Sequence, residues 1–311
     1  MDKIRVLHLL TSLAPGGAET NLLALGQFFD TERFEHAVAF GGDGALKDEF
    51  ATTKMRLIQI ASKGISFSSY LRMNQLRRKV EQFSPDIIHS HLDLTNMVGL
   101  FVKWQLGCKL VLHLHGSGII PRRCVPGRGG KHWFWGFLSK AYRHSDKIIA
   151  ICSYQFPFLD KLKIDPTKII LIPNGITLDN TSPVQQNKNE GYHFINVARF
   201  FTQKGHEVLI RAFHTVSQMN PQARLTLVGD GPLRKDIEKQ VNTLGLRDKV
   251  VFTGIRRDVP ELLRKHHCFV LSSLWELQPI TILEAMRAGL PVIATNVGGV
   301  EDTLVHEKTG L

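Results

Sequence analysis

The sequence predicts an α/β protein of two domains, each an open, largely parallel sheet covered by helices on both faces. Three observations carry this. Apolar runs of strand length alternate with helical patterns almost throughout. Several of those runs are apolar on both faces, and one polar stretch interrupts the alternation, which then restarts. Strands buried on both sides need continuous apolar runs, and repeated β-α units wind into such sheets. A chain of 311 residues is long enough for two cores.

In order along the chain, IRVLHLL (4–10) is a first strand, followed by a Gly-rich loop and a helix from about Ala18 to Phe29. HAVAF (36–40), RLIQI (56–60), DIIHSH (86–91), KLVLHLH (109–115), KIIAIC (147–152) and KIILIP (168–173) are further strands. The stretch TLDNTSPVQQNKNEG (177–191) has almost nothing to bury and reads as a linker between residues 1–176 and 192–311. HFINVA (193–198), RLTLVG (224–229), KVVFTG (249–254), CFVLS (268–272) and PVIAT (291–295) are the strands of the second domain. Open sheets of this kind bind ligands at the C-terminal edges of their strands, so a cleft between two such edges is the expected active site.

Composition narrows the function. Hydrophobic residues make up 43% and charged residues 22%, as in globular chains, and no apolar run is long enough to span a bilayer. MDKIRVLHLL reads as a strand rather than a signal peptide, which predicts a cytoplasmic protein. Cys108, Cys124, Cys152 and Cys268 are scattered without a CxxC pair, which argues against a disulfide framework and a thiolate zinc site. The net charge of +11 is lopsided, with 23 Lys and Arg against 15 Asp and Glu in residues 1–180, so an anionic partner is expected on that half.

The strongest chemical signal is SSLWELQPITILEAMRAGLPVIAT (272–295). A strand ends at Ser272, a loop presents Glu276, Pro279 opens a helix with Glu284 about one turn inside, and Gly289 closes it. The free N–H groups at such a helix start, Ile280 among them, suit a phosphate, and Glu284 can accept hydrogen bonds from ribose hydroxyls.

The two glutamates with seven residues between them, followed by AMRAG and LPVIAT, resemble family 4 of the retaining glycosyltransferases, of the GT-B fold. The resemblance runs from the first strand to the last residue. It implies two Rossmann-like domains facing each other across a cleft, with the acceptor on the N-terminal side and the nucleotide sugar on the C-terminal side. It further implies that Glu276 contacts the donor sugar and Glu284 holds the ribose. Relatives continue beyond the EKTGL end of this sequence, so a C-terminal domain cut short is also expected. The sequence departs from the family at Leu277, where Gly usually follows the first glutamate. A Cβ there is expected to narrow the pocket or to demand a less common backbone conformation.

NVARFFTQKGHEVLIRAF (196–213) delivers Arg199 to a strand end and Lys204 to the start of a helix. Two cations there can neutralise a diphosphate, and the spacing matches the family's Arg…Lys-Gly donor clamp. Because a nucleoside diphosphate is the leaving group, cations stabilising it are the expected main catalytic contribution. LVGDGPLRKDIE (227–238) makes a tight turn that is either purely structural or close to the nucleotide. In relatives the backbone of the segment matching FTGIRRDVPELL (252–263) meets the base, which makes Gly254, Ile255 and Arg256 candidates.

In the N-terminal domain, Gly16 and Gly17 of TSLAPGGAETNLL (11–23) allow close backbone approach, and the resemblance places them beside the donor phosphates. Glu19 is expected to cap or line the helix that follows. HSH (89, 91) and HLH (113, 115) each put two imidazoles on one face of a strand, a metal-ligand spacing that raises a metal-dependent hydrolase as a rival. No acidic or Cys partner completes a coordination set nearby, and the family binds its donor without a metal. His115 matches the family's histidine near the donor sugar and acceptor, while His89, His91 and His113 read as structural.

PRRCVPGRGGKHWFWGFLSKAYR (121–143) carries six Lys and Arg, no acid, and Trp133, Phe134, Trp135, Phe137 and Tyr142. Arg72, Arg77, Arg78 and Lys79 form a second basic cluster. Two readings stand side by side, a face for an anionic membrane or aromatic side chains packed into the core. No nucleic-acid motif accompanies the charge.

Together these readings predict transfer of a sugar from a nucleoside diphosphate sugar to a hydroxyl acceptor, without cofactor or metal, and the resemblance implies retention at the anomeric carbon. The resemblance adds a lipid-linked or surface-polysaccharide precursor as acceptor, and a peripheral position on the inner face of the cytoplasmic membrane. A nucleotide-sugar-binding protein without transfer and a sugar-nucleotide epimerase on the same fold remain the alternatives.

Overall fold

The computed structural model describes residues 2–61, 73–115, 132–178 and 192–311, with the side chains of 73–76 and 132–134 outside the description. Arg72, Cys124 and residues 121–131 of the 121–143 segment therefore lie outside the described residues, as does most of the 177–191 stretch. Two compact units emerge, Met1–Asn174 and Gly175–Leu311.

The first unit is a seven-stranded parallel sheet. Its strands are β1 (Ile4–Ser12), β2 (Phe34–Gly42), β3 (Arg56–Gln59), β4 (Ile87–Ser90), β5 (Lys109–His113), β6 (Lys147–Ala150) and β7 (Ile169–Leu171). Their spatial order is β3-β2-β1-β4-β5-β6-β7, so the winding reverses between β1 and β4. One face carries Leu7, Leu9, Ile88, Leu110 and Leu112, packed against Met97, Val98 and Leu100 of α4 (Asp93–Leu106) and Leu138 and Tyr142 of α5 (His132–His144). On the other face Leu10, Val38 and Phe40 meet Leu22 of α1 (Gly17–Leu25) and Phe50 of α2 (Lys47–Ala51). Burial on both faces is why these strands read as unbroken apolar runs. Helix α1 stops at Leu25 rather than continuing to Phe29. Gly26 caps it, its amide bonded to Leu22, and Phe28 is left 69% exposed with nothing to bury. Helices α3 (Met73–Glu81) and α6 (Phe156–Lys161) complete the unit.

The second unit has a five-stranded parallel sheet, with β8 (His193–Val197), β9 (Arg224–Val228), β10 (Val250–Gly254), β11 (Cys268–Leu271) and β12 (Val292–Ala294) in the order β10-β9-β8-β11-β12. Leu209, Ile210 and Phe213 of α7 (His206–Met219) pack with Ile237 and Val241 of α8 (Arg234–Thr243) over Leu225 and Leu227. Leu263 of α9 (Val259–Arg264), with Ile282 and Ala285 of α10 (Ile280–Arg287), packs with Ile195, Phe269 and Leu271. Each fully buried side chain of this size contributes about 1.5–3 kcal/mol. Both units are Rossmann-like, and in each the winding reverses beside the first strand, which places the crevice-forming loops at the C-terminal ends of β1 and β4 and of β8 and β11.

Candidate active site

In the second unit, charged side chains gather where β8 and β11 end. Arg199 leaves β8, a 3-10 turn (Thr202–Lys204) carries Lys204, and Gly205, at φ 60°, starts α7. A Cβ on Gly205 would collide with the Ser272 carbonyl, so this glycine lets the β11 loop lie directly against the Lys204 turn. The two loops are then laced together. Lys204 Nζ is ion-paired with Glu276 Oε1. The same oxygen accepts from Ser273 Oγ at 2.7 Å, while Gln203 Nε2 donates to Glu276 Oε2 at 3.3 Å and to the Trp275 carbonyl at 3.0 Å. Ser272 Oγ donates to the Lys204 carbonyl at 2.9 Å. Glu276 is 7% exposed and the Lys204 side chain 16%, so the pair relies on these additional hydrogen bonds to offset desolvation.

Arg199 is exposed, its guanidinium 5.3 Å from the centroid of the Phe201 ring, and it has no ion pair among the described residues. Since Lys204 and Glu276 cancel, Arg199 gives this corner its net positive charge. Helix α10 follows the Glu276 loop, with Pro279 at the N-cap and Ile280 as first residue. Glu284 lies half-buried within that helix. Burial pushes its carboxyl up, opposed by Arg287, and it accepts no hydrogen bond among the described residues. Hydroxyl donors would stabilise such a carboxylate. At the other edge Gly254 adopts φ 71°, and its carbonyl accepts from Gly229 at 2.8 Å. Ile255 is 76% exposed, and Arg256 binds Asp258 through two hydrogen bonds of 2.8 and 2.6 Å. That side chain is committed, and the segment offers a ligand its backbone.

In the first unit, Gly16 is the extended N-cap of α1, and the Glu19 carboxylate folds back so closely over it that a Cβ would overlap Oε2. Glu19 thus lines the helix start, as its position in the first turn predicts. Gly17 has nothing within 4 Å of where a Cβ would stand.

The histidines form one ladder. Strand pairing sets His8 opposite His89, and the adjacency of β4 and β5 carries His91 to His113 and His115. Ring centroids are 4.3 Å apart for His89 and His91, 3.8 Å for His113 and His115, and 5.4 Å for His91 and His113. His8 bonds on one side to His36, Nε2 to Nδ1 at 3.0 Å, and on the other to His91, Nδ1 to Nε2 at 3.2 Å. Burial, then crowding by neighbouring rings, holds His8, His91 and His113 well below the ordinary imidazole value. The same causes bring His89 to about 4 and His115 to about 3, so these rings are neutral at pH 7.

Comparison with known proteins decides the family. A model described as Glycosyltransferase Family 4 matches residues 15–180, and one described as Glycosyl transferases group 1 matches residues 179–311. The chain belongs to glycosyltransferase family 4. It is 27% identical to the UDP-Gal:alpha-D-GlcNAc-diphosphoundecaprenol alpha-1,3-galactosyltransferase of Escherichia coli, over 99% of this chain and 84% of that protein. It is 29% identical to the Vi polysaccharide biosynthesis protein VipC/TviE of Salmonella typhi, over 49% of this chain and 28% of that one. Among solved structures, HepE of Anabaena in complex with UDP and glucose superposes with a TM-score of 0.83 at 24% identity, covering 99% of this chain and 85% of HepE, which shows the GT-B fold.

Within this glycosyltransferase several expectations resolve. Gly229, at φ 131°, and Gly231 would each drive a Cβ into backbone, at the Ala198 and Phe200 carbonyls. Phe200 also donates to the Asp230 carbonyl at 2.9 Å. The turn therefore packs tightly against the loop that carries Arg199. Leu277 does not adopt positive φ, so the departure from glycine demands no left-handed backbone. Tyr142 is fully buried and Trp135 packs on the core, whereas Phe137 is 42% exposed with Lys140 over its ring. The described part of the basic aromatic segment is therefore divided between core and surface. Arg77 pairs with Glu81, and Lys79 donates to the Gln59 carbonyl. No helix among the described residues is long and apolar enough to cross a membrane.

Sequence reasoning missed Gln203, Ser273 and Gly298. The first two fix the Glu276 carboxylate, and Gly298, at φ 60°, leaves room for the Glu276 carbonyl. The Gly-Gly pair at 298–299 was the one signal for this. His8 and His36 gave none, since a single histidine on a strand does not announce its neighbours.

Proposed function

We propose that this glycosyltransferase moves a hexose from a UDP-sugar to a hydroxyl of a lipid-linked saccharide, with retention at the anomeric carbon and without a metal at the diphosphate. The observation that carries the reading is the buried Lys204–Glu276 pair beside the exposed Arg199. Breaking the glycosidic bond to UDP places negative charge on the leaving diphosphate. Arg199, as a planar fork, and the remaining N–H groups of Lys204 stabilise that charge, with the start of α10 adding its free amides. The Glu276 carboxylate is held in place by a cation and two neutral donors. It acts by orienting the sugar hydroxyls. Glu284 takes the ribose hydroxyls, the backbone of Gly254, Ile255 and Arg256 takes the base, Gly16 and Gly17 allow approach to the phosphates, and His115 serves the sugar and acceptor side.

Uracil as the base is supported by the UDP-sugar in the name of the Escherichia coli relative and by the UDP bound to HepE. The lipid-linked acceptor draws on the same relative, whose substrate is a diphosphoundecaprenol, and on the excess of cations in residues 1–180. That excess also supports a peripheral position at the cytoplasmic face of an anionic membrane. A second reading, nucleotide-sugar binding without transfer, draws on Leu277 standing where the family has glycine.

The test is a titration with UDP, GDP and ADP in the presence of a chelator, followed by product analysis with UDP-sugars and lipid-linked acceptors. Chelator-insensitive binding of UDP, weakened in Arg199→Ala, together with an α-linked product, is the expected result. UDP binding without product would favour the second reading, and no binding of any nucleotide would refute both.

A further inference from the structure

We propose that His91, His113 and His115 form a binding site for a divalent transition-metal ion of the zinc type. Each of the three offers one ring nitrogen, and these atoms all lie within 4.8 Å of one another. Zinc bound at about 2.0–2.1 Å to each nitrogen in tetrahedral geometry needs them about 3.4 Å apart, so binding requires the three rings to draw closer by at most about 1.4 Å. Three imidazoles suffice for a metal that keeps its fourth position for water or an anion, so neither a cysteine nor a carboxylate is required.

The polar atoms of the ladder point the same way. A buried ring nitrogen without a partner costs about 1–3 kcal/mol. His91 Nδ1, both nitrogens of His113 and His115 Nε2 are buried with none. Imidazoles kept neutral by burial hold a lone pair ready, which is the form a metal binds. His8, His89 and His91 also place ring nitrogens together, but both nitrogens of His8 are already engaged, one with His36 and one with His91. That engagement serves the neighbouring set instead. If His91 Nε2–H donates to His8 Nδ1 and His8 Nε2–H donates to His36 Nδ1, every ring stays neutral and His91 Nδ1 is left with its lone pair. The chain His91–His8–His36 then orients a ligand as outer partners of metal-bound histidines do. His91, just past the end of β4, and His113, the last residue of β5, are 0% and 5% exposed. His115 lies two residues past the end of β5 and is the most accessible of the three. Imidazole sets of this kind favour zinc, nickel and copper over magnesium and calcium, which prefer oxygen ligands.

The test uses the full chain, freed of any polyhistidine tag and stripped with a chelator, then titrated with Zn2+ alone against a chromophoric competitor. One zinc per chain is expected. His113→Ala and His91→Ala should each weaken binding by more than about 100-fold, since loss of outer partners alone costs about 10–100-fold. His306→Ala, exposed and outside the ladder, should leave it unchanged. Equal affinity in His113→Ala and wild type would overturn the assignment. Because a ladder variant could fold poorly, the wild-type chain is also loaded with Co2+. An intense visible spectrum of a four-coordinate nitrogen-rich site supports the proposal, and the weak spectrum of a six-coordinate aquo ion overturns it.

Discussion

Lys204 and Glu276, separated by 72 positions in the chain, form a buried ion pair that ties the end of β8 to the end of β11. Removing one partner strands the other charge in a site that excludes water, at a cost of about 3–5 kcal/mol. Glu276→Ala and Lys204→Met should each lower stability by about that much in urea unfolding. The double variant should recover part of it, with a coupling of about 1–3 kcal/mol. Additive losses would mean that the two side chains do not depend on each other.

Arg199 separates function from folding. Exposed and without an ion pair among the described residues, it contributes little to stability. Arg199→Ala should unfold within about 0.5 kcal/mol of wild type. Its affinity for UDP, followed by calorimetry, should fall by about tenfold to a hundredfold, as expected for a charge-assisted contact to a phosphate.

Two glycines should respond in opposite ways. Gly298 sits at φ 60°, and a Cβ there would strike the Glu276 carbonyl. Gly298→Ala is expected to cost more than about 2 kcal/mol and to disturb the Glu276 loop. Gly17 has open space around its Cα, so Gly17→Ala should leave stability within about 0.5 kcal/mol. Weaker UDP-sugar binding in that stable variant would show that the position is glycine for the ligand's sake.

His206 sets a pH dependence. Burial, reinforced by the neighbouring charge of Lys204, lowers its imidazole to about 4 from the usual 6.5. Above pH 6.5 both folded and unfolded chains hold it neutral, and its contribution to stability is complete. Between pH 6.5 and 4 the unfolded chain takes up a proton that the folded chain refuses, so stability falls, by on the order of 3 kcal/mol in total. Below pH 4 both states are protonated and this loss stops growing. Urea midpoints at pH 7.5 and 5 should therefore differ less in His206→Leu than in wild type.

If zinc occupies the site at His91, His113 and His115, it should inhibit transfer, because His115 cannot serve the sugar while bound to metal. Inhibition should be reversed by a chelator and relieved in His113→Ala. Zinc binding that leaves turnover untouched would argue against the role proposed for His115 while leaving the metal site in place.

Much of this was legible in the sequence. The twelve strands described coincide with apolar runs; the central ones are apolar because both their faces are buried, whereas Ile170 and Leu171 of the edge strand β7 are 41% and 46% exposed. The loops carrying Arg199, Lys204 and Glu276, and the helix carrying Glu284, were visible because each motif is local, with a strand end, a turn and a helix start within a few residues. What the sequence hid was partnership. Ser273 and Gln203 look like ordinary polar loop residues until the β8–β11 pairing brings them onto one carboxylate. Trp135, Phe137 and Tyr142 look alike on paper, and only the rotation of α5 against the sheet sends Tyr142 inward and Phe137 outward.

The sequence by itself determined the two α/β domains, the two-glutamate motif and the single-strand spacing of HSH and HLH, because hydrophobic period and turn chemistry act over a few residues. Tertiary structure alone decided that β1, β2, β4 and β5 lie side by side, and so that six histidines from four strands share one face of one sheet. Strand order is fixed by the packing of helices onto the whole sheet. No residue within a strand records which strand will lie beside it.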